Sequence, residues 1–307
     1  MLPVSQRKNT STTCCAIVVT FHPEMAALLK LLGQLNRETD FLVIDNGSPE
    51  ASRFHESILA YERCLEYRQL PENVGLAQAL NYGLEEAQRR NYQFALLFDQ
   101  DSSLCDIYVE SLLASYQEAS TLSVSRVAAA GPRVINPQTR RQTPFKLFSK
   151  LFFRTDCPFY GSRHLFQADF LITSGTLLSL QYLDEIGSMR ASYFIDNVDM
   201  EWCFRAKSLG FELVGTERAI LYHAIGERSD DPLVRKGILA RHNPDRTYYS
   251  SRNRVHLYGL SYTPMGWKLR DRVRFLIKFC WLMLTSPQRK HYWHNISSGI
   301  RDSRNVS

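Results

Sequence analysis

The feature that most constrains this chain is the alternation of short, wholly apolar runs with amphipathic stretches through its N-terminal half. CCAIVVTF (14–21) is a continuous apolar run suited to a strand buried on both faces, and EMAALLKLLGQL follows it with apolar residues at helical spacing. FLVID (41–45), CLEYRQL (64–70) and YQFALLFD (92–99) repeat the strand signal, while GLAQALNYGLEEAQRRN (75–91) is a strong helix. A helix near 105–119 and a strand near 127–130 continue the series. This order predicts an α/β fold: a mostly parallel central sheet with helices on both faces and ligands at the carboxyl ends of its strands.

After Gly131-Pro132 the pattern loosens, and 133–167, rich in Arg, Lys and Phe, reads as a loop excursion over the site. Regular signals return with ADFLITSGTLLSL (168–180), a helix around 199–209 stopped by Gly210, and two short strands, FELVG and AILYH. A further helix is expected from Asp245 through Tyr258. No linker separates two domains, so the chain divides into a polar, loose tail (1–13), one domain (14–258) and a basic, aromatic helical extension (259–307). With 307 residues, 44% of them hydrophobic, it can bury a substantial core.

A formal charge of +6 does not argue for a nucleic-acid partner, but its distribution is uneven. KLRDRVR (268–274) and PQRKHYWH (287–294) flank FLIKFCWLMLTS, whose apolar run is interrupted by Lys278 and falls well short of the ~20 residues that span a bilayer. Two readings stay open. The helix lies on a membrane surface with Trp267, Trp281 and Trp293 at the interface, or it packs Phe275, Leu276, Phe279 and Leu282 onto the domain. Seven cysteines, an odd number without a CxxC pair, and an N-terminus lacking the apolar core of a secretory signal predict a reducing, cytoplasmic setting. The cysteines then read as small core residues.

The chemistry gathers where apolar runs stop. FALLFDQDSSL (94–104) ends in Asp99 and Asp101, which an extended chain would project to one side with Gln100 opposite. Two converging carboxylates repel unless a cation lies between them, and hard oxygen ligands suit Mg²⁺ or Mn²⁺ bridging to a ligand's phosphates. A bare D-x-D is a weak signal, because Asp is common in turns. Its companions strengthen it. Asp45 closes the second strand ahead of Asn46-Gly47-Ser48, either a donor contact or a simple Asx turn. Asn73 and Gly75 stand at a helix start, where free N–H groups and a missing Cβ admit a phosphate or sugar, or where an ordinary N-cap sits. With neither GxGxxG nor GxxxxGK[ST] present, a dinucleotide fingerprint and a P-loop are disfavoured.

TFHP, VIDNGS, NVGLAQALNYGL, LFDQDS, ITSGTLLS and DNVDMEWCFR, in this order, resemble the inverting glycosyltransferases of family 2, most of all the bacterial rhamnosyltransferases, over residues 14 to about 258. The resemblance implies a GT-A fold, a nucleotide-diphosphate sugar donor, a divalent metal and direct displacement at the anomeric carbon. On the matching positions it implies that Thr20 and Asp45 contact the nucleoside and that Asn73 and Gly75 lie along the donor. Asp101 would bind the metal with Asp99 near the ribose or sugar, and His223 would supply a further ligand. His223 is otherwise a packed histidine. The family's base stands six residues before a helix Arg, which from Arg205 gives Asp199, preceded by Val198 rather than Glu. Asp196 is the alternative base, or the N-cap of that helix. Thr173, Ser174 and Gly175 would form the acceptor side, or a plain turn. In HNPDRTYYSSRNR (242–254), Tyr249, Arg252 and Asn253 share a helix face able to clamp a diphosphate, or are a solvated basic face.

The leading expectation is a cytoplasmic rhamnosyltransferase, peripheral at the inner face of the membrane. It would use dTDP-rhamnose to extend a lipid-linked glycan of a cell-surface polysaccharide such as O-antigen or capsule. A family member using a UDP-hexose or UDP-galactofuranose is the enzymatic rival. A sugar nucleotidyltransferase lacks support because TFHPEM stands where its Gly-rich loop belongs. A non-catalytic binding protein would be expected to lose the acidic pair or the base, and both are present.

Overall fold

The computed structural model describes residues 13–149, 152–223 and 243–306. Apart from Thr13, the expected N-terminal tail lies outside them. The first half follows the expected alternation. Strand β1 (Cys14–Thr20) leads into helix α1 (Met25–Glu38), then β2 (Asp40–Asp45), α2 (His55–Leu59), β3 (Cys64–Gln69), α3 (Leu76–Arg89) and β4 (Phe94–Asp99). These four strands are parallel in the order β4-β1-β2-β3. Register sets the site: Thr20 lies opposite Asp45, and Val19 opposite Asp99, so the polar strand ends share one edge of the sheet.

The period-two alternation of β1 feeds two separate cores. Cys15, Ile17 and Val19 face the cluster that includes Leu80 and Leu84 of α3, whereas Cys14, Ala16 and Val18 face Leu28, Leu31 and Leu32 of α1. Burial on both faces explains why this strand is apolar throughout. Burying each Leu or Ile contributes about 1.5–3 kcal/mol relative to exposure, so the strand cannot slip by one residue without exchanging both cores.

Beyond β5 (Ser103–Leu104) and α4 (Tyr108–Leu122) the sheet becomes mixed. β6 runs from Val127 to Ile135, straight through Gly131-Pro132 where the sequence suggested an end. The expected loop excursion instead carries β7 (Gln142–Thr143), a hairpin of β8 (Lys146–Phe148) with β9 (Phe153–Thr155), and β10 (Leu165–Ala168). Its anchor is Arg133, whose guanidinium lies 4.4 Å from the Phe145 ring centre and donates to Asp156 at 2.7 Å. β11 (Leu177–Ser179) enters antiparallel between β4 and β6. The parallel expectation therefore holds for the N-terminal half and gives way to mixed pairing beyond it.

After α5 (Leu183–Ile186) comes α6 (Val198–Ser208), followed by β12 (Glu212–Tyr222). FELVG and AILYH are thus one long strand, interrupted by an irregularity between Thr216 and Ile220. Helices α7 (Pro244–Gly259), α8 (Met265–Thr285) and α9 (Arg289–Asp302) complete the described chain.

The C-terminal helices pack on the domain. Trp267 joins the same core as Leu257 and Phe204, and Trp281 and Leu282 cluster with Tyr292 and Ile296 of α9. Of the three tryptophans expected at an interface, only Trp293 is exposed. The packing face expected from Phe275, Leu276, Phe279 and Leu282 is right except at Leu276, which is 62% exposed. Among the described residues no helix is long and apolar enough to cross a membrane. All seven cysteines are free; Cys14, Cys15 and Cys203 are buried as expected, whereas Cys280 is exposed.

Candidate active site

At the carboxyl edge of the sheet a cavity of about 640 Å³ is walled by the ends of β1 and β4, the turn after β2, the Thr173 segment and the loop entering α6. Asp99 and Asp101 both face it, and so does Gln100, which extended alternation had placed opposite. The strand ends at Asp99 and the chain turns, so period-two geometry no longer applies. Gln100 bridges two segments. Its side chain accepts from Phe21 N–H at 2.7 Å and donates to Phe21 C=O at 3.1 Å, tying the chain after β1 to the acidic turn.

His223, at the end of β12, brings its Nε2 to 3.8 Å from Asp99 Oδ2 and its Nδ1 to 3.4 Å from Asp101 Oδ1. That Nδ1 is buried and, among the described residues, has no hydrogen-bond partner. An orphaned imidazole nitrogen beside two carboxylates is a donor set that suits a divalent cation. Among the described residues, no three His, Cys, Asp or Glu side chains converge into a finished metal cage. Burial holds the Asp99 carboxyl above the ordinary aspartate range, against the pull of His223 and with Asp101 adding to the rise.

The two candidate bases separate cleanly. Asp196 accepts three hydrogen bonds from Arg246, at 3.1, 3.1 and 2.7 Å. It does not cap α6; the N-cap position belongs to Asn197, and no side chain bonds the first turn from there. Asp199, in the first turn of the helix, faces the cavity and accepts from the Met200 N–H at 2.8 Å. Burial pushes its carboxyl up to about 6. A carboxylate with no cationic clamp among the described residues, titrating close to neutrality, is suited to accepting a proton. Glu201 is fully buried and bound to Arg205 and Arg190, a structural role away from the cavity.

The loop ahead of α6 is contorted: Phe194, Asp196 and Asn197 have φ of 62°, 68° and 59°. Asn253 holds it, its buried amide donating to the carbonyls of Tyr193, Ile195 and Asp196 at 2.8, 2.8 and 2.9 Å. Tyr249 stacks on Phe194 at 4.6 Å between ring centres. The helix face of Tyr249, Arg252 and Asn253 therefore exists, but it grips protein. Arg252 donates to Ser192 C=O and to Asn253 at 3.1 Å, and does not line the cavity. Arg246 is the arginine of α7 that does.

Other expected contacts sort by burial. Thr20 and Asn73 line the cavity, together with Asn46, which the sequence pattern did not single out. Asn46 and Asn73 are locked to each other at 2.9 Å, and Asn46 also accepts from Val74 N–H at 3.0 Å. Asp45 is buried, accepting from Thr20 Oγ1 at 2.8 Å and from Ser48 N–H and Oγ at 2.7 and 2.8 Å. It shapes the turn rather than facing the cavity. At Gly75 (φ 86°) the space a Cβ would occupy is filled by Phe194, 2.5 Å away, so both the backbone and the approach of that ring call for glycine.

On the opposite wall Thr173 is available, but Ser174 spends its hydroxyl on the Asp99 N–H at 3.1 Å and on Ser102 at 2.6 Å. Gly175 is packed under the Tyr108 hydroxyl, which donates to its carbonyl at 2.8 Å. Ser174 thus lines the cavity while its hydroxyl braces the acidic turn, and Gly175 packs behind it.

A family model described as glycosyl transferase family 2 matches residues 16–173. Over 278 residues, 90% of each chain, the protein is 26% identical to the dTDP-rhamnosyl transferase RfbF of Shigella flexneri. Among solved structures it superposes on GalNAc-T7 with UDP, GalNAc and Mn²⁺ at a TM-score of 0.62 and 13% identity, over 97% of this chain and 58% of that one. It also superposes on Staphylococcus aureus TarS 1–349 in complex with UDP-GlcNAc at a TM-score of 0.60 and 14% identity, over 96% and 82% of the two chains. At these identities the solved structures speak for the architecture, which is the GT-A fold. Because the matched segment covers just over half of the 307 residues and includes the strand ends and acidic turn that wall the cavity, the chain belongs to glycosyl transferase family 2.

Proposed function

We propose that this protein is an inverting, divalent-metal-dependent rhamnosyltransferase. It would move L-rhamnose from dTDP-β-L-rhamnose to a hydroxyl of a lipid-linked glycan in cell-surface polysaccharide synthesis, at the cytoplasmic face of the membrane. The observation that carries the transfer reading is the pairing, in one cavity, of the Asp99–Asp101–His223 group with a single unclamped carboxylate, Asp199. A Mg²⁺ or Mn²⁺ held by Asp101 and His223, with Asp99 beside it, would neutralise the charge that grows on the departing diphosphate. Asp199 receives the proton of the attacking acceptor hydroxyl. Asp196 and Arg246 fix the loop that presents it. With one base and no enzyme nucleophile the displacement inverts, so a β-linked donor yields an α-linked product. The rhamnosyl donor is supported by the Shigella flexneri relative, which spans nearly the whole chain.

Purified protein with Mg²⁺ is expected to gain thermal stability from dTDP-rhamnose and to lose that gain in Asp101→Ala. A shift with UDP-sugars and none with dTDP-rhamnose would replace the donor by a UDP-hexose or UDP-galactofuranose.

A further inference from the structure

A second cavity, of about 250 Å³, lies between the β8 hairpin, the loop entering α6, and helices α7 and α8. Five cationic side chains face it, Lys146, Arg254, Arg270, Arg274 and Lys278, against two carboxylates, Asp196 and Asp271. Both carboxylates are already engaged. Asp196 is held by Arg246, and Asp271 accepts from Arg254 and from the Tyr258 hydroxyl, each at 2.7 Å. Among the described residues, Lys146, Arg270, Arg274 and Lys278 make no ion pair. Burial, followed by the charges of Arg254 and Arg274, brings the Lys278 ammonium down to about 8, and Lys146 is lowered by burial and by Arg274 and Arg270. Lys146 and Lys278 are half-buried and Arg270 and Arg274 stand exposed at the rim; like charges gathered in one cleft repel one another, and an oxyanion would relieve them.

Position says which oxyanion. Asp196 and Asn197 line both this cleft and the cavity that holds Asp199, and Asn197 Nδ2 is buried with no hydrogen-bond partner among the described residues. On the other side Arg270 also borders a shallow groove formed by Phe152, Phe153, Leu269 and Val273. That groove continues into an exposed apolar stripe along α8 through Leu276, Ile277 and Leu284. From the base outward the order is therefore acceptor hydroxyl, cationic cleft, apolar track. A second copy of the chain is disfavoured on that stripe, since it would bring Arg270, Arg272 and Arg274 of two molecules together.

We propose that the cleft between β8 and α8 binds the phosphoryl groups of a lipid-linked acceptor, with its lipid leaving along the Phe152–Val273 groove. This rests on the transferase reading above and gives its acceptor a chemical class: a glycan joined to a lipid through phosphate or diphosphate. The donor's diphosphate belongs to the first cavity, and the acceptor's to the second.

The test uses the full-length protein with saturating dTDP and Mg²⁺, so that the donor cavity is filled, and a short prenyl diphosphate as probe in titration calorimetry. Binding is expected to weaken steeply with salt and at least tenfold in Arg274→Gln/Lys278→Gln. The matched prenyl alcohol and inorganic phosphate should each bind at least tenfold more weakly than the diphosphate, and Asp101→Ala should bind it as wild type does. Lys146→Gln, on a different element, must weaken it in the same direction, which guards against misfolding of the helix variant. Equal binding by wild type and both cleft variants, or loss in Asp101→Ala instead, overturns the proposal. So does displacement of the probe by phosphatidylglycerol vesicles as readily as by free prenyl diphosphate, which would assign the cleft to phospholipid headgroups. Failure of dTDP-rhamnose to stabilise the protein would remove the donor assignment while leaving this site standing.

Discussion

Replacing Asp199 by Asn should damage catalysis and improve stability, two effects that a merely structural aspartate would not show together. Burial lifts the Asp199 carboxyl to about 6, while an unfolded aspartate titrates near 4. Between these values the folded protein binds the extra proton, so stability falls as pH rises from about 4 to about 6 and the full cost is present at neutral pH. At about 1.4 kcal/mol per pH unit, two units set an upper limit of about 3 kcal/mol. The substituted amide carries no charge and keeps an oxygen for the Met200 N–H, so Asp199→Asn should gain about 1–3 kcal/mol at pH 7.5 and nearly nothing at pH 4. Urea unfolding at the two pH values measures it. Loss of the base should cut transfer by about 10²–10⁴ with donor affinity nearly unchanged, and wild-type kcat/KM should rise with pH around an apparent pKa near 6. A variant that is destabilised at neutral pH, or that transfers at near wild-type rate while Asp196→Asn is dead, would refute the assignment.

Three further outcomes follow from the packing. Asn253→Ala leaves three loop carbonyls without their donor and should cost about 2–3 kcal/mol, read by denaturant midpoint, with kcat falling more than donor KM rises. Gly75→Ala, at φ 86° and against Phe194, should cost more than about 1 kcal/mol through backbone strain and contact; unchanged stability would mean that the ring yields freely. Val273→Ser/Leu276→Ser, on the exposed stripe of α8, should weaken sedimentation with anionic phosphatidylglycerol vesicles severalfold while leaving the melting temperature within a degree or two, and unchanged sedimentation would deny the stripe a lipid contact.

The half of the fold built from β1, β2 and β4 was legible because a strand buried on both faces must be apolar at every position, and because its turns carry the polar residues that end it. Asp99, Asp101, Asp199 and His223 could be named as candidates because each follows an apolar run or opens a helix, and only their combination outweighed the turns and helix starts that take aspartates for structural reasons. The second half was less legible. A short antiparallel strand such as Leu177–Ser179 looks like any apolar triplet, and Gly131-Pro132 lies inside a strand because Leu171 and the neighbouring strands close around it.

Roles that depend on what a side chain meets were decided only by the tertiary structure. Arg252 and Arg246 are alike in sequence context, yet one braces Ser192 and the other holds Asp196 at the cavity wall. Asp45 looked like a contact and is buried behind the cavity, whereas Ser174 lines the cavity with its hydroxyl already bonded to the protein. Three cations of the cleft, Arg270, Arg274 and Lys278, belong to a basic stretch visible in the sequence, but Lys146 lies far off in the chain and only the docking of α8 against β8 brings them together. Local pattern fixes which residues are apolar, polar or charged along each element. Which charges are left unpaired, and therefore able to bind something else, is a property of the packed whole.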